Sequence, residues 1–169
     1  MLKFKSIVPA VFDNNYRGEK TALYFFVLFT VVMTWRSIVH MFFADYGLHE
    51  IAHYVHMEGS PDPSILIHLF FSLWGMAQLI FCVVCWLSIL KMRSFIPALY
   101  ILWLLEWLTR IFVYPLIFSA VDTDPYKTGM TPGADFAPYL GSLLVIFFLL
   151  SIRVSKWKLT GVINYDNHR

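Results

Sequence analysis

Apolar positions along the chain gather into four long runs, at residues 21–42, 64–90, 94–119 and 136–152. Short polar connections separate them. A helix rises ~1.5 Å per residue, so a bilayer span needs about 20 apolar residues. The first three runs reach that length. The fourth is the shortest and has to stand nearly upright to cross. The pattern predicts an all-α membrane protein: a four-transmembrane-helix, up-down-up-down bundle over residues 21–152. A cytoplasmic interfacial segment, 1–20, precedes it, and a cytoplasmic tail, 153–169, follows.

Local signals support these boundaries. Asp62-Pro63 pairs an N-cap residue with a proline suited to the first helical position. Ser94 with Pro97, and Asp135 with Pro138, open the third and fourth runs in a similar way. Pro115 predicts a kink or an end near the far side of the third run. Asp-Pro, Thr-Gly and Pro-Gly pairs mark 123–133 as a loop. Pro9 interrupts the apolar patch of residues 7–12, which argues against one continuous helix there.

Composition sharpens the class. Of 169 residues, 59% are hydrophobic and 14% charged, more apolar surface than a soluble domain of this size can hide. The length leaves no room for a second, soluble domain. The first run is too long for a signal-peptide core and lacks a small-residue cleavage site, so it is expected to stay as a span.

Charge distribution sets the expected orientation. Lys3, Lys5, Arg17 and Lys20 precede the first run, and Lys91 and Arg93 lie between the second and third. Arg153, Lys156, Lys158 and Arg169 follow the fourth. The connections 44–63 and 121–135 hold one base, Lys127, against Asp45, Glu50, Glu58, Asp62, Asp122, Asp124 and Asp135. The positive-inside rule then places both termini in the cytoplasm, most simply of a bacterial inner membrane. The basic ends act as the orientation signal, and no nucleic-acid partner is expected.

Three charges nevertheless stand inside the apolar runs: Arg36 in the first, Glu106 and Arg110 in the third. Charges at membrane depth are costly and face a bundle interior or a partner. Arg36 falls ~22 Å along its run, in the outer half. His40 follows one turn later on the same face. Glu106 and Arg110 have the i,i+4 spacing that lets side chains meet, and His68 falls in the outer turns of the second run. Arg36, His40, His68, Glu106 and Arg110 are therefore expected to converge as a buried polar network or ligand site. Two arginines against one glutamate leave a spare positive charge. That charge suits an anionic lipid head group, a quinone carbonyl, or a carboxylate from a partner subunit.

His49-Glu50-Ile51-Ala52-His53 matches H-E-x-x-H, which on a helix puts two imidazoles on one face for zinc. With His56 it forms a candidate metal cluster. Gly59 stands where the third histidine of soluble metzincins would fall, and the segment lies in an outer loop. The pattern therefore argues against a membrane metalloprotease and against tight zinc. Cys82 and Cys85 form a C-x-x-C in the inner half of the second run. Quinone-linked thiol oxidases need such a pair near the outer surface, with further cysteines for exchange, so these two read as packing residues. A b-type haem needs two facing axial ligands. Only His40 and His68 share a suitable depth, so haem is not expected.

Several motifs carry a resemblance. They are Trp35-Arg36-Ser37-Ile38-Val39-His40, Trp74-Gly75-Met76-Ala77-Gln78-Leu79, and Arg93-Ser94-Phe95-Ile96-Pro97 running into Leu105-Glu106-Trp107-Leu108-Thr109-Arg110. With Pro132-Gly133, these resemble a group of small bacterial four-helix membrane proteins with no assigned activity. The resemblance covers roughly residues 22–152 and implies the fold and the Arg36/Glu106/Arg110 core. It implies no chemistry and does not include the His49–His56 stretch. The chain is thus expected to act as a non-enzymatic accessory or scaffolding subunit of a larger membrane complex, with lipids and other membrane subunits as partners. The competing expectation is a redox or metal-, quinone- or haem-binding protein built on the outer-half cluster.

Overall fold

The computed structural model describes residues 7–119, 122 and 124–153. Among the described residues, four helices of 16 residues or more make the fold: α1 Lys20–Phe42, α2 Pro63–Lys91, α3 Arg93–Ile117 and α4 Ala137–Ile152. Among the described residues no strand forms. The first three helices are long and apolar enough to cross a membrane, consistent with an integral membrane protein. With 16 residues, α4 falls short of the other three. Lys3, Lys5, Lys156, Lys158 and Arg169 lie outside the described residues.

Helix starts follow the sequence signals closely. The Asp62 carboxylate accepts the Ser64 backbone N–H at 2.9 Å, and Pro63 fills the first helical position. That backbone hydrogen bond holds the Asp62 carboxyl below its usual range. Helix α3 is less regular than its hydropathy suggests. It begins as a 3-10 turn at Arg93–Phe95, runs as α-helix through Leu108, widens to a π-turn over Thr109–Val113 and resumes over Tyr114–Ile117. Pro115 has no N–H to give back to the preceding turn, and its ring crowds that turn. The chain accommodates it by a π-turn directly upstream, with Tyr114 N–H bonded to Thr109 O. Arg110 stands on this widened turn.

Pairwise contacts give the helix directions. Trp86 Nε1 donates to Thr34 Oγ1, Ser37 to Gln78 Oε1 and Ser72 to Met41 O. Rising numbers on α1 meet falling numbers on α2, so the two are antiparallel. Ala22 O accepts from Tyr100 OH, and Phe29 meets Trp103 and Trp107, so α3 runs parallel to α1. Glu19 N–H bonds Leu150 O, and Phe25 stacks on Phe147, so α4 is antiparallel to α1.

Phe26, Met33, Tyr100, Trp103 and Leu144 pack at the centre with Cys82 and Cys85, both free, buried thiols. The outer helix faces stay apolar and uncovered, as at Leu28, Val31, Ile80, Leu105 and Ile146. Helices α1 and α2 approach closely at Gly75, where a Cβ would lie 2.6 Å from the Met41 nitrogen and 2.7 Å from the His40 Cβ. Only glycine admits that approach, which brings His40 and Arg36 against α2.

The two ends differ. At the basic end, residues 7–19 form no helix and cross the bundle. Asp13 and Ser94 exchange hydrogen bonds there, and Arg17 pairs with Asp13. At the acidic end, the two long connections are knitted together. Val55 N–H bonds Tyr126 O, Thr128 N–H bonds His53 O at 2.7 Å, and Thr131 Oγ donates to Ala52 O at 2.8 Å. Residues of this knot share a cavity with Arg36 of α1 and Arg110 of α3.

Candidate functional site

The site is organised by one indole. The Arg36 guanidinium carbon lies 4.8 Å from the centre of the Trp74 ring and that of Arg110 lies 5.2 Å from it. The His40 ring also meets Trp74, at 4.7 Å. Arg110 contacts Trp107 as well, at 5.2 Å. Cations held over indole faces gain about 0.5–2 kcal/mol each, more when desolvated.

Glu106 pairs with Arg110 through Oε1. The i,i+4 spacing read from the sequence thus brings these two together. Arg36 behaves differently from the expected three-way network. Among the described residues it forms no ion pair with Glu106, and its guanidinium lies against Trp74 of α2. Arg36 therefore joins the pair through a shared aromatic surface. His40 belongs to the same group, whereas His68 does not. Its Nε2 lies 3.7 Å from Asp45. His40 and His68 consequently have different neighbours.

Five buried polar atoms around this group have no hydrogen-bond partner: Arg36 Nη1, His40 Nδ1, Trp107 Nε1, Glu106 Oε2 and Arg110 Nε. Each such atom costs roughly 1–3 kcal/mol unless something satisfies it, and their concentration in one place is unusual for a folded interior. They border two cavities that meet at Trp74. One, of about 640 Å³, lies under the loop knot and is lined by Arg36, His40, Leu48, Phe71, Trp107 and Arg110 among others. The other, of about 750 Å³, lies between α2 and α3 beside Glu106 and Tyr114. Arg110 lines both. Mostly apolar walls with a few converging polar groups are what ligand sites offer.

The histidine-rich segment departs from the H-E-x-x-H expectation. The helix that follows α1 ends at Ile51 as a π-turn over Gly47–Ile51. His53 then adopts a left-handed conformation, φ 55°, and Tyr54 N–H returns to Leu48 O. This is a left-handed C-cap. It turns the His53 ring away, so that Nδ1 meets Met130 O at 2.8 Å. His49 and His53 therefore share no helical face. In place of His53 the fold brings Asp45 and His68 to His49. His49 Nε2 lies 3.7 Å from Asp45 Oδ1, and the His49 ring stacks on His56 at 3.7 Å and meets His68 edge-on at 5.8 Å.

Trp74, Trp107 and Asp45 are thus site residues beyond the expected set. Asp45 stands one helical turn before His49, a spacing visible in the sequence. Trp74 stands beside Gly75, the close-approach glycine, which only packing reveals. Comparison of the chain with family models, with characterised proteins and with solved structures finds no match.

Proposed function

We propose that this protein is a four-helix, up-down-up-down membrane bundle with both termini cytoplasmic and its acidic end outside, and that it serves as a non-enzymatic subunit holding an anionic amphiphile. The loop charges support the orientation by the positive-inside rule. A bacterial inner membrane fits that reading. The lipid-facing walls of the two cavities would take the acyl part, and Arg36 with Arg110 would take the head group.

The observation that carries the reading is Arg36. It lies under the loop knot, half-buried, with Nη1 lacking a partner on the wall of the cavity beneath the knot. Arg36 and Arg110 against Glu106 leave one net positive charge, two cations less one acid. A monoanionic head group answers both the missing hydrogen bonds and that charge. A quinone carbonyl answers only the former. The knot and the large apolar outer surface suit a subunit that keeps such a molecule in place beside membrane partners.

Native mass spectrometry of protein extracted in mild detergent tests this. Wild-type protein is expected to retain an anionic lipid at about one per chain. A charge-assisted hydrogen bond contributes about 1.5–3 kcal/mol, so Arg36→Gln is expected to weaken retention roughly 10- to 100-fold. Equal retention by both, or recovery of a neutral quinone instead, would overturn the reading.

A further inference from the structure

The structure assigns a second site at the acidic end: Asp45, His49, His56 and His68 form a binding site for a divalent transition metal of zinc type. It is separate from the Arg36–Trp74 group and uses none of its residues.

The geometry begins with His49. Its side chain is 6% exposed, and its Nδ1 lies 2.8 Å from the Tyr54 carbonyl. A ring nitrogen facing a carbonyl must carry the proton, so Nδ1–H donates. In the neutral ring that a metal ligand requires, Nε2 is then a bare lone pair, buried and without a hydrogen-bond partner. It points at another acceptor, Asp45 Oδ1, 3.7 Å away. His68 Nε2 is likewise buried without a hydrogen-bond partner, 3.7 Å from the same oxygen. His49 Nε2, His68 Nε2 and Asp45 Oδ1 thus gather at one point at separations too long for hydrogen bonds.

A single cation at that point resolves all three. Zinc–nitrogen and zinc–oxygen bonds of ~2.0–2.2 Å in a tetrahedron place ligand atoms roughly 3.3–3.6 Å apart, close to the separations found. His56 stands within reach, since ligand atoms of Asp45, His49 and His56 all lie within 4.8 Å of one another, and its ring must turn out of its stack on His49 to join His68 and Asp45 on the ion. Three imidazoles and one carboxylate suit zinc or a neighbouring transition ion better than calcium or magnesium, which favour oxygen donors. The His49–Tyr54 hydrogen bond is the outer-shell contact that metal-bound imidazoles use to hold tautomer and ring orientation.

The placement also gives the metal a task. Asp45, His49 and His56 belong to the segment following α1, and His68 belongs to α2. Leu48, Ile51 and Tyr54 of that segment line the cavity under the knot. One ion would staple the cavity's cover to α2.

The test uses full-length protein in detergent, stripped by chelator and titrated with Zn²⁺ alone and with Co²⁺ alone. One ion should bind per chain, with the visible absorption of tetrahedral cobalt. His68→Ala and His49→Ala should each weaken binding at least about 100-fold, the upper range for losing even an outer-shell partner. Asp45→Asn, at an exposed position that the fold tolerates, should weaken it at least tenfold while the melting curve of the metal-free protein stays unchanged. His53→Ala should bind as tightly as wild type. Absence of stoichiometric binding would overturn the assignment. So would loss of binding in His53→Ala with His68→Ala unaffected, since that pattern belongs to the helical H-E-x-x-H arrangement.

Discussion

Glu106→Gln is expected to be the most damaging single substitution at the charged group. It removes the one acid among the three charged residues of the apolar runs and leaves Arg36 and Arg110 both over Trp74 with no counter-charge. Breaking a buried pair from one side typically costs about 3–5 kcal/mol, because the surviving charge stays buried. Replacing both partners with apolar groups can cost far less. Glu106→Leu combined with Arg110→Leu should therefore melt higher in detergent than Glu106→Gln alone, although it changes more atoms. If the double replacement melts lower, then Arg110 is held chiefly by Trp74 and Trp107, and the ion pair is secondary.

Trp74→Ala should come next, at about 3 kcal/mol, the low end for truncating a buried aromatic. The ring is half-buried, so its own transfer energy does not dominate. The loss instead spreads over Arg36, Arg110 and His40, which all touch this indole, and it merges the two cavities it divides. Trp74→Phe keeps an aromatic face with a weaker attraction for cations. It should recover most of the stability and only part of the lipid retention. If Trp74→Ala and Trp74→Phe melt alike, the cations draw little from the ring. Melting curves paired with lipid counts on the same samples separate the two effects.

Sequence and structure part at instructive places. Helices α1 and α2 fall within a residue of the apolar runs, because capping and hydropathy act locally and agree there. Relative level was also legible: rise per residue sets Arg36 and Arg110 at similar heights on parallel helices, and both meet Trp74. Lateral position was not. Whether Arg36 meets Glu106 or Trp74 depends on helix rotation, which Gly75 fixes by letting α2 slide against His40. Pro115 announced a disturbance in α3, but its form, a π-turn carrying Arg110, depends on how the backbone finds alternative hydrogen bonds. In the histidine segment, no glycine or asparagine marks the cap, and His53 fills the left-handed position itself. The pentapeptide spacing therefore suggested a helical face that the backbone does not make. His68 lies at the expected end of α2, yet it serves the Asp45 cluster and leaves the arginines to Trp74.

The claim that Arg36 and Arg110 hold an anionic amphiphile is tested most directly by photo-crosslinking in proteoliposomes. A photoactivatable anionic phospholipid and its zwitterionic analogue are compared at equal density, and the adducts are mapped by peptide mass spectrometry. The account predicts adducts concentrated on Leu48, Ile51, Phe71 and Trp74 around the cavity. The anionic probe should exceed the zwitterionic one there about tenfold, and Arg36→Gln should abolish the difference. Equal labelling by the two probes, spread over outward residues such as Leu28 and Ile80, would contradict it.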